Sequence, residues 1–145
     1  MKGLDFLVGT WRGEARLFRE TGQVLELIQT EEVQYKLNGL VLMIEGIGCN
    51  KSDGSVALQA LAIVSYDDEA SAYRMRAYND GRYLETDLKL VAQGKSVAWS
   101  FVLGEIKTCS VLRIDDKGRW TESTEILVGT QPPRKLIELA VSPQV

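Results

Sequence analysis

The fold of this chain is decided near its start, by the stretch Leu4-Asp5-Phe6-Leu7-Val8-Gly9-Thr10-Trp11-Arg12-Gly13-Glu14-Ala15. The apolar first half is long enough for a short helical turn, although not for a helix that is stable alone. Gly9 lets the backbone bend, and from Trp11 onward alternate side chains of a strand share a face. One face carries Trp11, Gly13 and Ala15. A large ring followed by two small residues predicts a barrel closed at its base by Trp11, with space above it.

Turn signals divide the rest of the chain at short, regular intervals. Asn or Asp followed by Gly supplies the positive φ that tight hairpins need. No intervening segment shows a helical period without an equally good period of two. The ten predicted strands are Thr10–Phe18, Val24–Leu37, Val41–Cys49, Val56–Tyr66, Ala72–Asn79, Arg82–Val91, Ser96–Leu103, Ile106–Ile114, Arg119–Val128 and Arg134–Val141. This all-β pattern predicts a sandwich or an antiparallel up-and-down β-barrel, and closure is favoured because it removes both sheet edges.

Composition bounds the size and class of the protein. A chain of 145 residues predicts one domain spanning residues 1–145. The net charge is -3 and Lys and Arg are not clustered, so we expect no nucleic-acid partner. No stretch approaches the roughly 20 apolar residues of a membrane span, and a basic segment with a long apolar run is missing from the start. We therefore expect a cytoplasmic protein with no membrane partner.

The chain contains no histidine. This removes the commonest general base, the commonest transition-metal ligand and the usual haem ligand. Cys49 and Cys109 do not form a C-x-x-C motif, and reduced thiols within strands are favoured over a disulfide or a redox role. We therefore expect no metal and no cofactor, and we assign no catalytic residue.

Three predicted strands carry one carboxylate within an otherwise apolar or aromatic face. These faces are Leu25-Leu27-Gln29-Glu31-Val33-Tyr35-Leu37, Val41-Met43-Glu45-Ile47-Cys49 and Trp120-Glu122-Thr124-Ile126-Val128. Where such a face looks inward, its buried charge needs a partner. Arg74, Arg76 and Tyr78 share a face of the fifth strand. That face is either a solvated outer surface or brings one arginine into the barrel to meet Glu45 or Glu122.

The second alternative predicts how a ligand would be held. Residues two apart on a strand point the same way, so Arg76 and Tyr78 could converge on an acidic or hydrogen-bonding head group. Trp120 is the best of the three tryptophans for a cavity role, because Glu122 lies beside it on the same face. The predicted ligand-binding residues are Tyr35, Met43, Glu45, Arg76, Tyr78, Trp120 and Glu122.

Gly9-Thr10-Trp11, a Gly-x-Trp that opens the first strand after an apolar turn, resembles the signature of the calycins. This superfamily includes the lipocalins and the fatty-acid-binding proteins. The fuller stretch from Gly9 to Ala15 resembles the nitrobindin-type branch, whose barrel has ten strands. Leu42-Met43-Ile44-Glu45-Gly46 and Gly118-Arg119-Trp120-Thr121-Glu122 are similar to a bacterial group of uncharacterised lipocalin-like domains. The resemblance implies a lipocalin-like barrel over the whole chain, with a small hydrophobic or amphipathic ligand, fatty-acid-like or similar, inside it.

One departure from the nitrobindin pattern matters for function. Those proteins bind haem through a histidine near the start of the last strand, where this chain has Lys135. A lysine ammonium, with an unperturbed pKa of about 10.4, is a poor iron ligand at neutral pH, so we expect no haem. In lipocalins a basic residue near the C-terminus packs over the first-strand tryptophan, and the resemblance implies that Arg134 or Lys135 does so over Trp11.

Two further function classes stay open beside ligand binding. The first is a small lipocalin-like enzyme that uses Glu, Arg and Tyr in the cavity, with Glu45 or Glu122 as general acid. Motifs for nucleophilic catalysis or phosphate binding are absent from the sequence. The second is a structural module whose barrel is filled by its own side chains. The strand Val41–Cys49 is apolar on both faces, and one of them could form a homodimer.

Overall fold

Ten antiparallel strands follow one another along the chain and close into a barrel, as predicted. The computed structural model describes residues 2–79, 81–91 and 95–144. The strands are β1 (Gly9–Phe18), β2 (Val24–Lys36), β3 (Val41–Asn50), β4 (Val56–Asp67), β5 (Ala72–Asn79), β6 (Arg82–Leu90), β7 (Ser96–Leu103), β8 (Ile106–Ile114), β9 (Trp120–Val128) and β10 (Arg134–Pro143). Their predicted bounds are correct to within two residues.

Each strand pairs with its neighbours in sequence, and β1 closes the barrel against β10. Most pairs run the length of both strands. The seam between β6 and β7 is shorter, with Lys89 opposite Ala98 and Leu90 opposite Val97. Farther along this seam, the Thr86 hydroxyl donates a 2.7 Å hydrogen bond to the Ser100 carbonyl oxygen. The backbone groups of the wall are therefore satisfied mainly by other strands, as a closed barrel allows.

A 3-10 helix, Lys2–Leu7, covers one end of the barrel. Leu4 and Leu7 are fully buried there. The Trp11 Nε1–H donates a 2.9 Å hydrogen bond to the Leu7 carbonyl oxygen, which fixes the helix to the first strand. The Trp11 ring meets the Trp120 ring edge-on, with 5.5 Å between centroids, a favourable aromatic geometry. The prediction that Trp11 closes the base of the barrel is confirmed.

The alternation predicted for β1 is also confirmed. Trp11 and Ala15 are buried, whereas Thr10, Arg12 and Glu14 on the opposite face are exposed. Between the two buried residues, Gly13 is needed because the β10 backbone passes close by. A Cβ at Gly13 would lie 2.8 Å from Val141 Cα and would overlap the Ala140 carbonyl oxygen.

Cys49 and Cys109 are free and half-buried, in agreement with the expectation of reduced thiols. Within the described ranges, no helix is both long enough and apolar enough to cross a bilayer.

Candidate functional site

The barrel encloses a cavity of about 410 Å³. It extends from Leu7 and Trp120 at the covered end to residues near the other ends of β8, β9 and β10. Most of its wall is apolar, and the apolar lining includes Ile44, Met75, Leu88, Phe101 and Ile126. The volume lies within the range of small-molecule sites, roughly 300–1,000 Å³. The structure therefore does not match a barrel filled by its own side chains.

Three side chains form what we call the polar cluster of this cavity: Gln29, Glu31 and Glu122. Gln29 and Glu31 lie two residues apart on β2 and point inward together, with exposed fractions of 1% and 7%. Glu122 lines the cavity from β9 and is partly accessible. β1 and β10 separate the two strands, so the cluster spans four of the ten strands of the wall.

Two glycines of β3 make the space for the β2 side chains. Gly46 lies opposite Glu31 and Gly48 opposite Gln29. A Cβ at Gly46 would lie 2.9 Å from Glu31 Cδ and would overlap its Oε2, and a Cβ at Gly48 would lie 2.5 Å from Gln29 Oε1. Both distances are too short for non-bonded atoms, so any larger residue at either position would displace the polar group opposite it.

The carboxyl groups of the cluster have raised pKa values. Burial raises the pKa of Glu31 to about 9, with a further contribution from the Glu122 charge and a small opposing one from the Gln29 amide. Burial also raises the pKa of Glu122 to about 7. The Trp120 Nε1–H opposes this effect, because its 3.1 Å hydrogen bond to Glu122 Oε1 favours the ionised carboxylate.

Two acceptor atoms of the cluster are unsatisfied. Gln29 Oε1 and Glu31 Oε2 are buried and have no hydrogen-bond partner among the described residues. The Ser110 and Thr124 hydroxyls also line the cavity, but they hydrogen-bond each other at 2.7 Å and neither contacts these two acceptors. Most buried polar groups in folded proteins have partners, so this arrangement indicates a site for an additional group.

The sequence-predicted site residues divide into those that meet and those that do not. Trp120 and Glu122 lie together on the cavity wall, joined by a hydrogen bond. Tyr35 lies on the inward face of β2 but at the covered end, where its hydroxyl donates to the Asp5 carboxylate. Burial, followed by that hydrogen bond, raises the pKa of Tyr35 to about 12. Tyr35 thus holds the N-terminal helix and does not line the cavity.

The expectation that Met43 and Glu45 face inward is wrong. On β3 the inward positions are Leu42, Ile44 and Gly46, which leaves Met43 and Glu45 on the outer surface. Because both faces of this strand are apolar, its alternation alone could not choose the orientation. The crowding of Gly46 against the Glu31 carboxyl explains it physically: an inward residue with a side chain would clash. Glu45 is therefore not a cavity acid.

Arg76 and Tyr78 also lie outside the barrel, so the expectation that they converge on a head group in the interior is wrong. Arg76 Nε lies 3.2 Å from Glu85 Oε1 in an exposed ion pair, and Tyr78 contacts the ring of Tyr83. The inward residues of β5 are Met75 and Ala77. Water and a carboxylate on the next strand satisfy the guanidinium outside, whereas burial would require a partner inside.

Gln29 and Glu31 were missed as site residues. The sequence pattern does place Glu31 on an otherwise apolar face, but a carboxylate there does not by itself show which way the face points. A stronger signal is the pair of glycines two apart, Gly46 and Gly48, on the strand that follows. Small residues at a strand's alternate positions leave room for larger polar groups on its partner.

The structure does not support transferring haem binding from the resemblance. Lys135 is exposed, lies 2.9 Å from Glu138 and is 5.8 Å from the ring of Phe18. It points away from the cavity, and it does not pack over Trp11, which contacts Trp120 instead. Arg134 pairs with Ile126 at the far end of β9 and lies 3.4 Å from Glu20, so neither basic residue makes the implied contact with Trp11. Buried carboxyls also disfavour anionic haem propionates. Within the described ranges, no group of three or more Cys, Asp or Glu is placed to hold a metal ion.

Together these features define a class: a closed ten-stranded barrel that fits a calycin-like fold, with an internal cavity that is partly polar. The particular likeness is to the crystal structure of Rv2717c from M. tuberculosis, with a TM-score of 0.74. That comparison covers 99% of this chain and 96% of Rv2717c at 12% identity, which shows the fold alone. No family model matches the chain, and no curated protein matches its sequence.

Proposed function

We propose that this protein binds a small, partly apolar molecule inside the barrel. The observation that carries the proposal is the cavity of about 410 Å³, whose wall is apolar except for a few converging polar groups. Apolar walls supply affinity through buried area, and a few polar groups orient the ligand.

We infer that the ligand enters the cavity at the end away from Trp11. A surface groove there is lined by the end of β1, the start of β4, the hairpin between β5 and β6 and the start of β10. Leu58, Ala60 and Ile137 line both this groove and the internal cavity. These shared residues support ligand exchange through the groove.

Blocking the cavity tests the proposal. Ala77 lines the cavity, and Ala77→Phe would place a ring inside it. The matched control is Ala140→Phe, because Ala140 lies on β10 next to the cavity-lining Leu139 but does not itself line the cavity. The probe is N-phenyl-1-naphthylamine, a neutral apolar fluorophore. We expect saturable one-to-one binding to the wild type and the control, and binding at least about tenfold weaker to Ala77→Phe.

Thermal melts of all three proteins establish that the variants are folded. Two results would contradict the proposal: the wild type shows no saturable binding, or a folded Ala77→Phe variant binds the fluorophore as tightly as the control does.

A further inference from the structure

The unsatisfied atoms of the polar cluster indicate what the ligand must supply. Gln29 Oε1 can only accept a hydrogen bond, and Glu31 Oε2 accepts one when the carboxyl is ionised. Gln29 is 1% exposed and lines the cavity, so its vacant acceptor is an observation independent of the two carboxyls. Once Glu31 is ionised, both atoms accept hydrogen bonds and the described residues supply no donor to either of them.

The described part of the chain does not provide the missing donors. The Trp120 Nε1–H is already used by Glu122 Oε1, and the hydrogen bond between the Ser110 and Thr124 hydroxyls uses one of their two O–H groups. Neither hydroxyl donates to Gln29 Oε1 or Glu31 Oε2. Arg82 is the one basic side chain among the described residues that line the cavity. It is exposed and begins β6, at the groove end, whereas Glu31 lies opposite Trp11 near the covered end.

We propose that the ligand carries a protonated amine on an apolar body, and that the ammonium is bound by Glu31, Glu122 and Gln29. This inference rests on the proposed binding function. An ammonium has three donors and one positive charge, which suits two carboxyl groups and one amide oxygen. The apolar body lies along Ile44, Met75 and Phe101.

Other head groups fit this cluster less well. A carboxylate ligand adds a third acidic group beside two that are already difficult to ionise, and like charges disfavour each other at short range. An alcohol supplies one donor and no charge, so it satisfies one acceptor only. The cluster thus favours an amine over an alcohol, and an alcohol over a carboxylate.

Binding of the amine is coupled to proton release. A cation beside a carboxyl favours its ionised form, so an ammonium lowers the pKa of a group whose pKa is otherwise raised by burial. Glu31, with a pKa raised to about 9, is protonated in the empty protein at pH 8. An amine that arrives charged therefore displaces protons, whereas an alcohol does not.

The test uses three probes that differ only in the head group: n-octylamine, 1-octanol and octanoate. Each competes with N-phenyl-1-naphthylamine at pH 8, and titration calorimetry in two buffers of different ionisation enthalpy counts released protons. We expect octylamine to bind at least about tenfold more tightly than octanol, octanoate to bind most weakly, and only octylamine to release protons.

Variants assign the preference to residues. Glu31→Gln with Glu122→Gln should reduce the preference for amine over alcohol to below about threefold and abolish proton release. Glu45→Gln is the matched control, because it neutralises an outward carboxylate on the strand next to β2. It should retain both the preference and the proton release.

The outcomes separate this inference from the proposed function. If octanol and the fluorophore bind but octylamine binds no more tightly than octanol, the amine proposal is overturned and the ligand-binding proposal stands. An amine preference that persists in the folded double variant also overturns it, because other residues then hold the cation. Failure of the fluorophore and all three probes to bind overturns both proposals.

Discussion

Gly46 on β3 lies directly opposite Glu31 on β2, and the Glu31 carboxyl occupies the space that a side chain at position 46 would fill. A glycine in a strand interior ordinarily weakens the strand by roughly 0.5–1 kcal/mol relative to alanine. Here the missing side chain is what allows a carboxyl to remain inside the barrel. The chemistry of the cavity thus depends on a residue that contributes no functional group.

Gly46→Ala should therefore alter the site more than the fold. The new Cβ would lie 2.9 Å from Glu31 Cδ, but the crowded group is the flexible end of a side chain and can move. We expect the free energy of unfolding to change by about 1 kcal/mol or less, since alanine's strand preference offsets part of the crowding. Octylamine affinity should fall by about tenfold or more. Denaturant melts and probe competition measure the two effects, and unchanged amine affinity would show that Gly46 does not position Glu31.

Gly13→Ala should have the opposite profile. Its Cβ would overlap the Ala140 carbonyl oxygen and approach Val141 Cα to 2.8 Å, and backbone atoms of a paired strand cannot move aside cheaply. We expect a loss of about 2–3 kcal/mol in the free energy of unfolding, in the upper part of the range for overpacking. Chemical denaturation of Gly13→Ala beside Gly46→Ala compares the two directly. Equal losses in the free energy of unfolding of the two variants would mean that β1 and β10 can move apart at little cost.

Stability should fall as the pH rises from about 5 to 9. Both cluster carboxyls have folded-state pKa values above the usual 4.5, at about 9 for Glu31 and about 7 for Glu122. In this window the folded state holds protons that the unfolded state has released, so raising the pH favours unfolding. One pKa unit corresponds to 1.36 kcal/mol, so carboxyl pKa values this far above 4.5 predict a loss of several kcal/mol in the free energy of unfolding across the window.

The groups with lowered carboxyl pKa values do not titrate between pH 5 and 9. The chain has no histidine, and Asp53, Asp67, Asp115 and Glu138 have lowered pKa values, so their contribution is lost only as the pH falls below about 4. Urea melts at several pH values measure how the free energy of unfolding changes with pH. Glu31→Gln with Glu122→Gln should flatten it and make the variant more stable than the wild type at pH 9. A slope that survives both substitutions would contradict the assignment.

The sequence predicted the fold well and the site only in part. On β1 a tryptophan and two small residues alternate with polar ones, and such a contrast between faces fixes which side is buried. On β3 Met43 and Ile44 are equally apolar, so the two faces cannot be ranked without the neighbouring strands. Gly46 faces inward because Glu31 occupies the space opposite it. The two residues are 15 positions apart in the sequence and meet only through the register of β2 against β3. Pairwise fit across strands is not visible in the pattern of a single strand.

Arg76→Ala should leave both stability and interior binding nearly unchanged. The Arg76 and Glu85 side chains are 62% and 57% exposed, and ion pairs at such sites contribute roughly 0–1 kcal/mol. We expect a change below about 0.5 kcal/mol in the free energy of unfolding and no change in octylamine or octanol affinity. Probe competition checks the second point. A loss of octanoate binding in this variant would revive an anion site on the outer face of β5.

The homodimer expected from the apolar faces of β3 stays a prediction. Val41, Met43 and Ile47 lie on the outer surface and are half-buried by their neighbours. Light scattering coupled to gel filtration measures the mass in solution, and Met43→Glu should convert a dimer formed through this face to a monomer. A wild-type mass equal to one chain over a wide concentration range would contradict the prediction.

Trp120→Phe should raise the pKa of Glu122 above its wild-type value of about 7. The Trp120 Nε1–H donates a 3.1 Å hydrogen bond to Glu122 Oε1, and this bond stabilises the ionised carboxylate against burial. Hydrogen bonds to charged groups contribute roughly 1.5–3 kcal/mol, so their loss corresponds to an upward shift of about 1–2 pKa units. Because the folded-state pKa rises, the stability loss attributed to Glu122 moves to higher pH.

Carbon-detected NMR of the Glu122 carboxyl follows the titration. Trp99→Phe is the matched control, since Trp99 lines the same cavity from β7 and makes the same change of ring size. Equal shifts in the two variants would mean that cavity volume, and not the indole N–H, sets the pKa of Glu122.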